Sequence, residues 1–259
     1  MYATERHEAI ERILAEEGRV SVVDLARRFD VTTETIRRDL DQLETTGALR
    51  RVHGGAVAAE RPSTTETALS ERIHRHAPEK AAIARRALAA FDDGFHGSVF
   101  LDAGTTTAAV AASLAPRLSA TPIDVVTHSL PIANTLALTP QTSLTLIGGR
   151  VRGLTAAAVG ADTVRAIGRL RPDIAFIGAN GVSADFGIST PDPEEAAVKS
   201  AIVRAARRVI VVADAEKLGR ELLVSFARLD EIDVLVTDAV PDARLQGALA
   251  EAHVEVWTA

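Results

Sequence analysis

The sequence predicts an α/β chain in two parts: three short N-terminal helices closed by a hairpin, then a larger open domain on a mainly parallel sheet. Three observations predict it. Apolar residues recur at helical spacing through residues 6–43. Beyond residue 79, short β-branched runs alternate with amphipathic helical patterns. Between the two lies a polar, non-periodic stretch, Glu60-Arg61-Pro62-Ser63-Thr64-Thr65-Glu66-Thr67. The division expected is 1–57, a linker over 58–78, and 79–259.

The first part is read element by element. Residues 6–17 place Ile10, Ile13 and Leu14 on one face of a helix. Ser21 can cap the next helix, with Asp24 three residues on as in a capping box. Leu25, Ala26 and Phe29 form its apolar face, and Asp30-Val31 makes the turn. Thr32 caps a third helix with Ile36, Leu40 and Leu43 inside. Its outer face carries Thr33, Thr35, Arg37, Arg38 and Gln42, side chains that reach base edges and phosphates. Residues 47–56 read as a hairpin bearing Arg50, Arg51 and His53, turned by Gly54-Gly55. Helix, helix-turn-helix and basic hairpin in that order make a winged helix-turn-helix over 1–57, with double-stranded DNA as its partner. Those eight outer-face and hairpin residues are its expected DNA-binding set.

Charge qualifies this reading. Residues 1–57 hold nine arginines against eleven acidic residues, so the basic excess of many DNA-binding modules is missing. The charges are segregated instead, with Arg37, Arg38, Arg50 and Arg51 on the outer side. Such a module binds non-specific DNA weakly and needs dimerisation to reach useful affinity.

Bulk composition bounds the rest. Apolar residues make up 47% of 259 positions, enough for a sizeable core, while aromatics are only 3%. That scarcity argues against nucleic-acid binding by base stacking. Cysteine is absent, which excludes disulfides, zinc thiolates and a cysteine nucleophile and fits a cytoplasmic location. The seven histidines are scattered without ligand spacing, so no metal is expected. No apolar run is long enough to span a bilayer, and the first residues are too polar for a signal peptide.

Within the linker, residues 69–76 predict a short helix, and Pro78 opens another at Glu79. The following strands are predicted at 98–101, 123–127, 143–147, 174–177, 209–212, 234–237 and 254–257. Ligands in such sheets sit at the C-terminal strand ends. Four polar loops collect there: Asp102 to Thr107, Thr127-His128-Ser129, Gly148-Gly149-Arg150 and Gly178-Ala179-Asn180-Gly181. Gly104-Thr105-Thr106-Thr107 offers a close backbone approach, hydroxyls and a helix N-terminus, which suits a phosphate monoester. The same residues also read as a Thr-capped helix with its hydroxyls spent on backbone. No dinucleotide glycine pattern or Walker lysine is present.

Lysine usage is a separate clue. Cations are written almost wholly as arginine, and only Lys80, Lys199 and Lys217 are lysine. A retained lysine suggests a need for a compact ammonium. Lys199 follows Glu195 by one helical turn, a spacing that serves either a binding site or a surface ion pair. Lys217 fits a site reading polyols and phosphate, whereas Lys80 reads as structural.

The string Thr32-Thr33-Glu34-Thr35-Ile36-Arg37-Arg38-Asp39-Leu40, preceded by Arg6, Ile10 and Leu14 and followed by Arg51-Val52-His53-Gly54-Gly55-Ala56, resembles the DeoR family of bacterial transcriptional regulators. The likeness extends over nearly the whole chain. It implies a C-terminal sugar-phosphate sensor domain resembling ribose-5-phosphate isomerase, with no cofactor and a phosphorylated sugar as effector. It also implies a cytoplasmic homo-oligomer, dimer or tetramer, that represses a sugar-utilisation operon. The matching effector positions are Asp102 and Gly104 to Thr107, then Ser129, Gly149 and Arg150, then Asn180, Glu195 and Lys199 across the cleft. Thr127 to Ala133 and Gly149 to Arg152 are similar to the actinobacterial fructose-operon repressors, which implies fructose 1-phosphate or fructose 1,6-bisphosphate. An isomerase-like enzyme with an accessory N-terminal domain is the alternative. It needs a positioned acid and base, and Asn180 stands where a carboxylate would serve, leaving Asp102, Glu195 and Asp192. No catalytic residue is therefore assigned.

Overall fold

A computed structural model describes residues 2–58, 63–92, 94–118, 123–139 and 143–259. The chain divides into two units, Met1–Pro62 and Ser63–Ala259.

The first unit runs α1 (Ala3–Glu17), β1 (Arg19–Ser21), α2 (Val22–Phe29), α3 (Thr33–Thr45), β2 (Leu49–Val52) and β3 (Gly55–Ala58). Local chemistry sets the ends. Gly18 closes α1 at φ 71°, a left-handed cap. The Ser21 hydroxyl accepts from the Asp24 N–H at 3.2 Å, and that of Thr32 from the Thr35 N–H at 3.1 Å. Ile10, Leu14, Leu25, Ile36, Leu40 and Leu49 fill the core between the helices and the hairpin. Strand β1 is too short to show a period in sequence. It pairs with β3 antiparallel because Gly55 lets the chains close: a Cβ there would lie 2.0 Å from the Val20 carbonyl oxygen.

One buried contact of this unit carries charge. Asp39 on α3 accepts from Arg6 on α1 at 2.5 and 3.0 Å, with His7 Nε2 at 3.0 Å. Burial opposes the ionised carboxyl, yet Arg6 and His7 hold it below the usual carboxylate range. Removing one member strands the other, so Asp39→Ala should lower the stability of this unit by about 3 kcal/mol in urea unfolding. A change within about 0.5 kcal/mol would show the pair to be energetically idle.

The second unit begins with α4 (Leu69–His74), α5 (Ala77–Ala87), β4 (Ser98–Leu101), α6 (Thr105–Leu118), β5 (Asp124–Thr127), α7 (Leu130–Ala137) and β6 (Ser143–Leu146). It continues with β7 (Arg150–Arg152), β8 (Ala157–Val159), α8 (Ala161–Ile167), β9 (Ile174–Gly178), β10 (Gly181–Ser183), β11 (Gly187–Thr190) and α9 (Pro193–Ala205). It ends with β12 (Arg208–Val212), β13 (Val224–Ala227), β14 (Val234–Thr237), α10 (Ala243–Glu251) and β15 (Glu255–Thr258). Seven strands form one sheet in the order β15-β14-β12-β9-β4-β5-β6, every neighbouring pair parallel. Alternate side chains serve opposite faces. Phe100, Ala175, Val211 and Leu235 pack with Ile167, Ile202 and Leu249 on one side. Leu101, Phe176, Val212 and Val236 pack with Ile83, Leu114 and Ile132 on the other. All seven expected strands lie in this sheet.

Two expectations need correction. From Ser63 onward the stretch expected as linker belongs to the second unit: the Leu223 N–H donates to the Ser63 carbonyl at 3.1 Å and the Leu69 N–H to that of Leu154 at 3.3 Å. Polar composition disguised this, because its contacts are ionic and backbone rather than apolar. Residues 59–62 lie outside the described residues. Second, the loops expected after the sheet strands contain small strands. β7 pairs with β8, and β10, β11 and β13 form an antiparallel sheet. Glycines that read as loop markers permit close packing there, since a Cβ on Gly181 would lie 2.4 Å from the Arg220 carbonyl oxygen.

Candidate functional site

Two surfaces carry chemistry. On the first unit, the inner positions of α3 are buried, which leaves Thr33, Arg37, Arg38 and Gln42 exposed on the opposite face. Thr35 is half-buried, its hydroxyl 2.9 Å from that of Thr32. Arg37 has only a loose, exposed contact with Glu34 at 3.5 Å. Arg38 and Arg50 are exposed and form no ion pair among the described residues. His53 is exposed at the hairpin turn. Arg51 differs from its expected role. Its side chain pairs with Asp41 and donates to the Arg37 carbonyl at 3.2 Å, while its backbone N–H donates to Glu44 at 2.8 Å. Arg51 therefore docks the hairpin onto α3 and is only half-exposed.

On the second unit, a cleft opens at the C-terminal ends of β4 and β9. Gly104, at φ +153°, precedes α6 and lets Thr105 and Thr106 present the helix N-terminus to it. Asn180 enters from the β9 side. Its Oδ1 accepts from the Thr190 hydroxyl at 3.1 Å, so its NH2 group is directed elsewhere as a donor. Arg72, Arg75, Lys80, Lys199 and Lys217 line the cleft against only two lining carboxylates, Glu195 and Asp214. Asp102, Glu216 and Glu66 behind the wall pair with Lys199, Arg75 and Arg72, so the charge is balanced overall while the lining itself presents mainly cationic groups to an anionic ligand. The Asp214 Oδ1 atom is buried and accepts no hydrogen bond among the described residues. It is an acceptor suited to a ligand hydroxyl.

Lys199 rests on a buried network. Asp102 at the end of β4 is wholly buried and takes three contacts: the Lys199 ammonium, the Gly178 N–H at 3.0 Å, and His128 Nε2 at 3.0 Å. Lys199 also donates to the Gly178 carbonyl at 2.9 Å. His128 is fixed by Nδ1 at 2.8 Å from the Ala158 carbonyl. Burial raises the Asp102 carboxyl, but Lys199 and His128 outweigh it and hold it below its ordinary range. Lys80 is tied to the end of α4, where it donates to the Arg72 carbonyl at 2.6 Å. Burial pushes the Lys80 and Lys217 ammonium groups down from the usual lysine range against the pull of Asp214.

Glu216 clamps the segment bearing Arg75 and His76, at 2.5 and 3.0 Å from them. Burial opposes its charge, yet Arg75, Lys217 and His76 bring the carboxyl down to about 2. A depressed carboxyl stabilises the fold above its unfolded value of 4.5 and loses that contribution as pH falls toward 2. Glu216→Gln should therefore cost up to about 3 kcal/mol at pH 7 and progressively less below pH 4.5 in urea unfolding. A pH-independent difference would contradict the ion-pair origin.

The family profile of the DeoR-like helix-turn-helix domain matches residues 6–62, and that of the DeoR C terminal sensor domain matches residues 75–239. The chain belongs to the DeoR family of transcriptional regulators. It is 32% identical over 256 residues to the glycerol-3-phosphate regulon repressor of Escherichia coli (strain K12), covering 99% of each chain. It is 33% identical over 239 residues to the uncharacterized HTH-type transcriptional regulator FruR of Bacillus subtilis (strain 168), covering 92% of each. Among solved structures, ribose 5-phosphate isomerase A of Methanocaldococcus jannaschii aligns with 55% of each chain at a TM-score of 0.40 and 18% identity. The relatives are named as a repressor and a regulator, in agreement with the reading of the chain as no enzyme.

In this DeoR-family chain the cleft unites Gly104, Thr105, Thr106, Asn180, Glu195, Lys199 and Lys217 from the expected effector set. Asp102 lies beneath it and acts through Lys199. Thr107 is buried, its hydroxyl donating to the Gly104 carbonyl at 3.0 Å. Ser129 is buried as the cap of α7. Gly149 is not among the residues lining the cleft; it packs against Thr163, whose hydroxyl a Cβ would approach within 2.0 Å. Arg150 is exposed and paired with Glu194. Glu195 and Lys199 do not pair with each other, since Glu195 contacts Arg152 at 3.2 Å and the Thr155 hydroxyl at 2.5 Å. The sequence reading missed Arg72, Arg75, His76, Thr155 and Asp214. The first three lay on the short helix expected within the linker, where local spacing gives no sign that it packs against a distant sheet edge.

Proposed function

We propose that this chain is a repressor of a sugar-utilisation operon that leaves its operator when a phosphorylated sugar enters the cleft. One observation carries the reading: five cationic side chains and the N-terminus of α6 line a cleft that also holds a buried carboxylate oxygen of Asp214 with no hydrogen bond among the described residues and only a long, 3.8 Å contact to Lys217. Cations and backbone N–H groups suit phosphate, and carboxylates and the Asn180 amide suit hydroxyls. That the Escherichia coli relative is a glycerol-3-phosphate regulon repressor supports a phosphorylated polyol as the class. Fructose 1-phosphate and fructose 1,6-bisphosphate are the proposed effectors, with glycerol 3-phosphate as the comparator.

The protein acts in the cytoplasm as a dimer or tetramer. Paired α3 helices then contact half-sites about 10 bp apart or a multiple of it. Effector binding must disfavour that arrangement by roughly 1–3 kcal/mol. The test uses the full chain. Selection from a random duplex pool should enrich a two-fold symmetric site. A saturating effector, near 100 times its dissociation constant, should add about 2.7 kcal/mol of stability and release that site. A chain that enriches no sequence at low salt, or whose operator complex ignores all three phosphates, overturns the proposal.

A further inference from the structure

The segment 63–76 follows the DNA-binding unit directly in sequence and is laid along the sensor unit by backbone contacts at Ser63 and Leu69. It also supplies part of the cleft wall. Arg72 stands apart there. Its Nε and Nη2 atoms are buried and hydrogen-bonded to nothing among the described residues. Its ion-pair partner is Glu66 on the same segment, and the 3.5 Å separation is long for a charge-assisted hydrogen bond. The Glu66 side chain in turn is 3% exposed and lies 2.7 Å from Arg152, which contacts Asp192 and Glu195 as well. Burial and the neighbouring Glu195 push the Glu66 carboxyl up, so its charge is incompletely compensated. Between α4 and α5, as the residue that precedes α5, His76 holds a left-handed φ of 54°, a conformation that non-glycine residues adopt where surrounding contacts enforce it.

Arg72 lines the cleft, and a guanidinium with two buried donors lacking hydrogen bonds and only loosely held by a carboxylate is disposed to exchange that carboxylate for a phosphate. We infer that Arg72 binds the phosphate of the effector, and that Glu66 is the intramolecular carboxylate with which this phosphate competes. The inference rests on the cleft being the effector site. Both members of the exchanged pair lie on the connecting segment. Occupancy of the cleft therefore alters the ionic contacts that hold the segment leading from the DNA-binding unit, leaving Glu66 to Arg152 alone.

Titration calorimetry on the full chain separates the possibilities, with fructose 1-phosphate, fructose 1,6-bisphosphate, glycerol 3-phosphate and inorganic phosphate as probes. Arg72→Gln should weaken the best-binding sugar phosphate by about tenfold or more, and Arg72→Lys by less, because an ammonium keeps the charge and loses the fork. Glu66→Gln should tighten it by about threefold or more, a gain that a purely structural role would not produce. Binding by Arg72→Gln within about twofold of wild type, at an unchanged melting temperature, defeats the inference. So does a Glu66→Gln variant that binds more weakly. Wild-type protein that binds none of the probes defeats the effector reading itself, and this inference falls with it.

Discussion

Lys199→Ala should destabilise the sensor unit by about 3–5 kcal/mol and abolish the response to sugar phosphate. The two effects share one cause. Asp102 is wholly buried, and Lys199 is the only lysine or arginine on it among the described residues. Deleting the ammonium leaves a carboxylate at the end of β4 with the Gly178 N–H and His128 alone. It also takes a cation from the cleft. Pairing the substitution with Asp102→Ala should recover part of the lost stability, since the stranded charge is then gone, but none of the ligand response. Urea unfolding of the single and double variants measures the first effect. A thermal-shift titration with the sugar phosphate measures the second. A stable Lys199→Ala protein with normal effector binding would remove this network from the site.

The second large effect is expected on α3. Arg38→Ala and Arg37→Ala should each weaken operator binding by about 1–3 kcal/mol for each recognition helix engaged. Both side chains are exposed on the face opposite the core, and the Glu34 contact of Arg37 is too loose and solvated to hold it back. Loss of a phosphate contact should also reduce the salt dependence of binding by about 0.9 in log–log slope. Sugar-phosphate binding should be unchanged, because neither residue belongs to the sensor unit. Arg51→Ala should behave differently and lower both operator affinity and the stability of the first unit, because Arg51 fastens the hairpin to α3. Electrophoretic mobility shifts across a salt series distinguish these cases. Normal operator binding by both Arg37 and Arg38 variants would move the recognition surface elsewhere.

Much of the architecture was legible because it is local. Ser21 and Thr32 announce helix starts through hydroxyls that accept from N–H groups three residues on. The spacing of Ile36, Leu40 and Leu43 defines the inner face of α3 and thereby its outer face. Continuous apolar runs mark strands covered on both sides, and all seven joined the parallel sheet. The scarcity of lysine also singled out three residues that line the cleft, Lys80, Lys199 and Lys217.

What escaped the sequence was pairing over distance. Helical spacing suggested that Lys199 meets Glu195 one turn away, yet it meets Asp102, 97 residues earlier. Nothing in the sequence paired Arg6 with Asp39, 33 residues on, yet the two form a buried ion pair. Residues 69–76 read as a short helix within a linker, and nothing in that reading showed that Arg72 and Arg75 wall the cleft. Residue spacing therefore determined the two-part organisation, the helix-turn-helix and the sheet, because those depend on which side chains share a face within one element. Only the tertiary structure decided which charges meet, because an ion pair between distant elements is set by how sheet and helices bring them together and leaves no periodic trace along the chain.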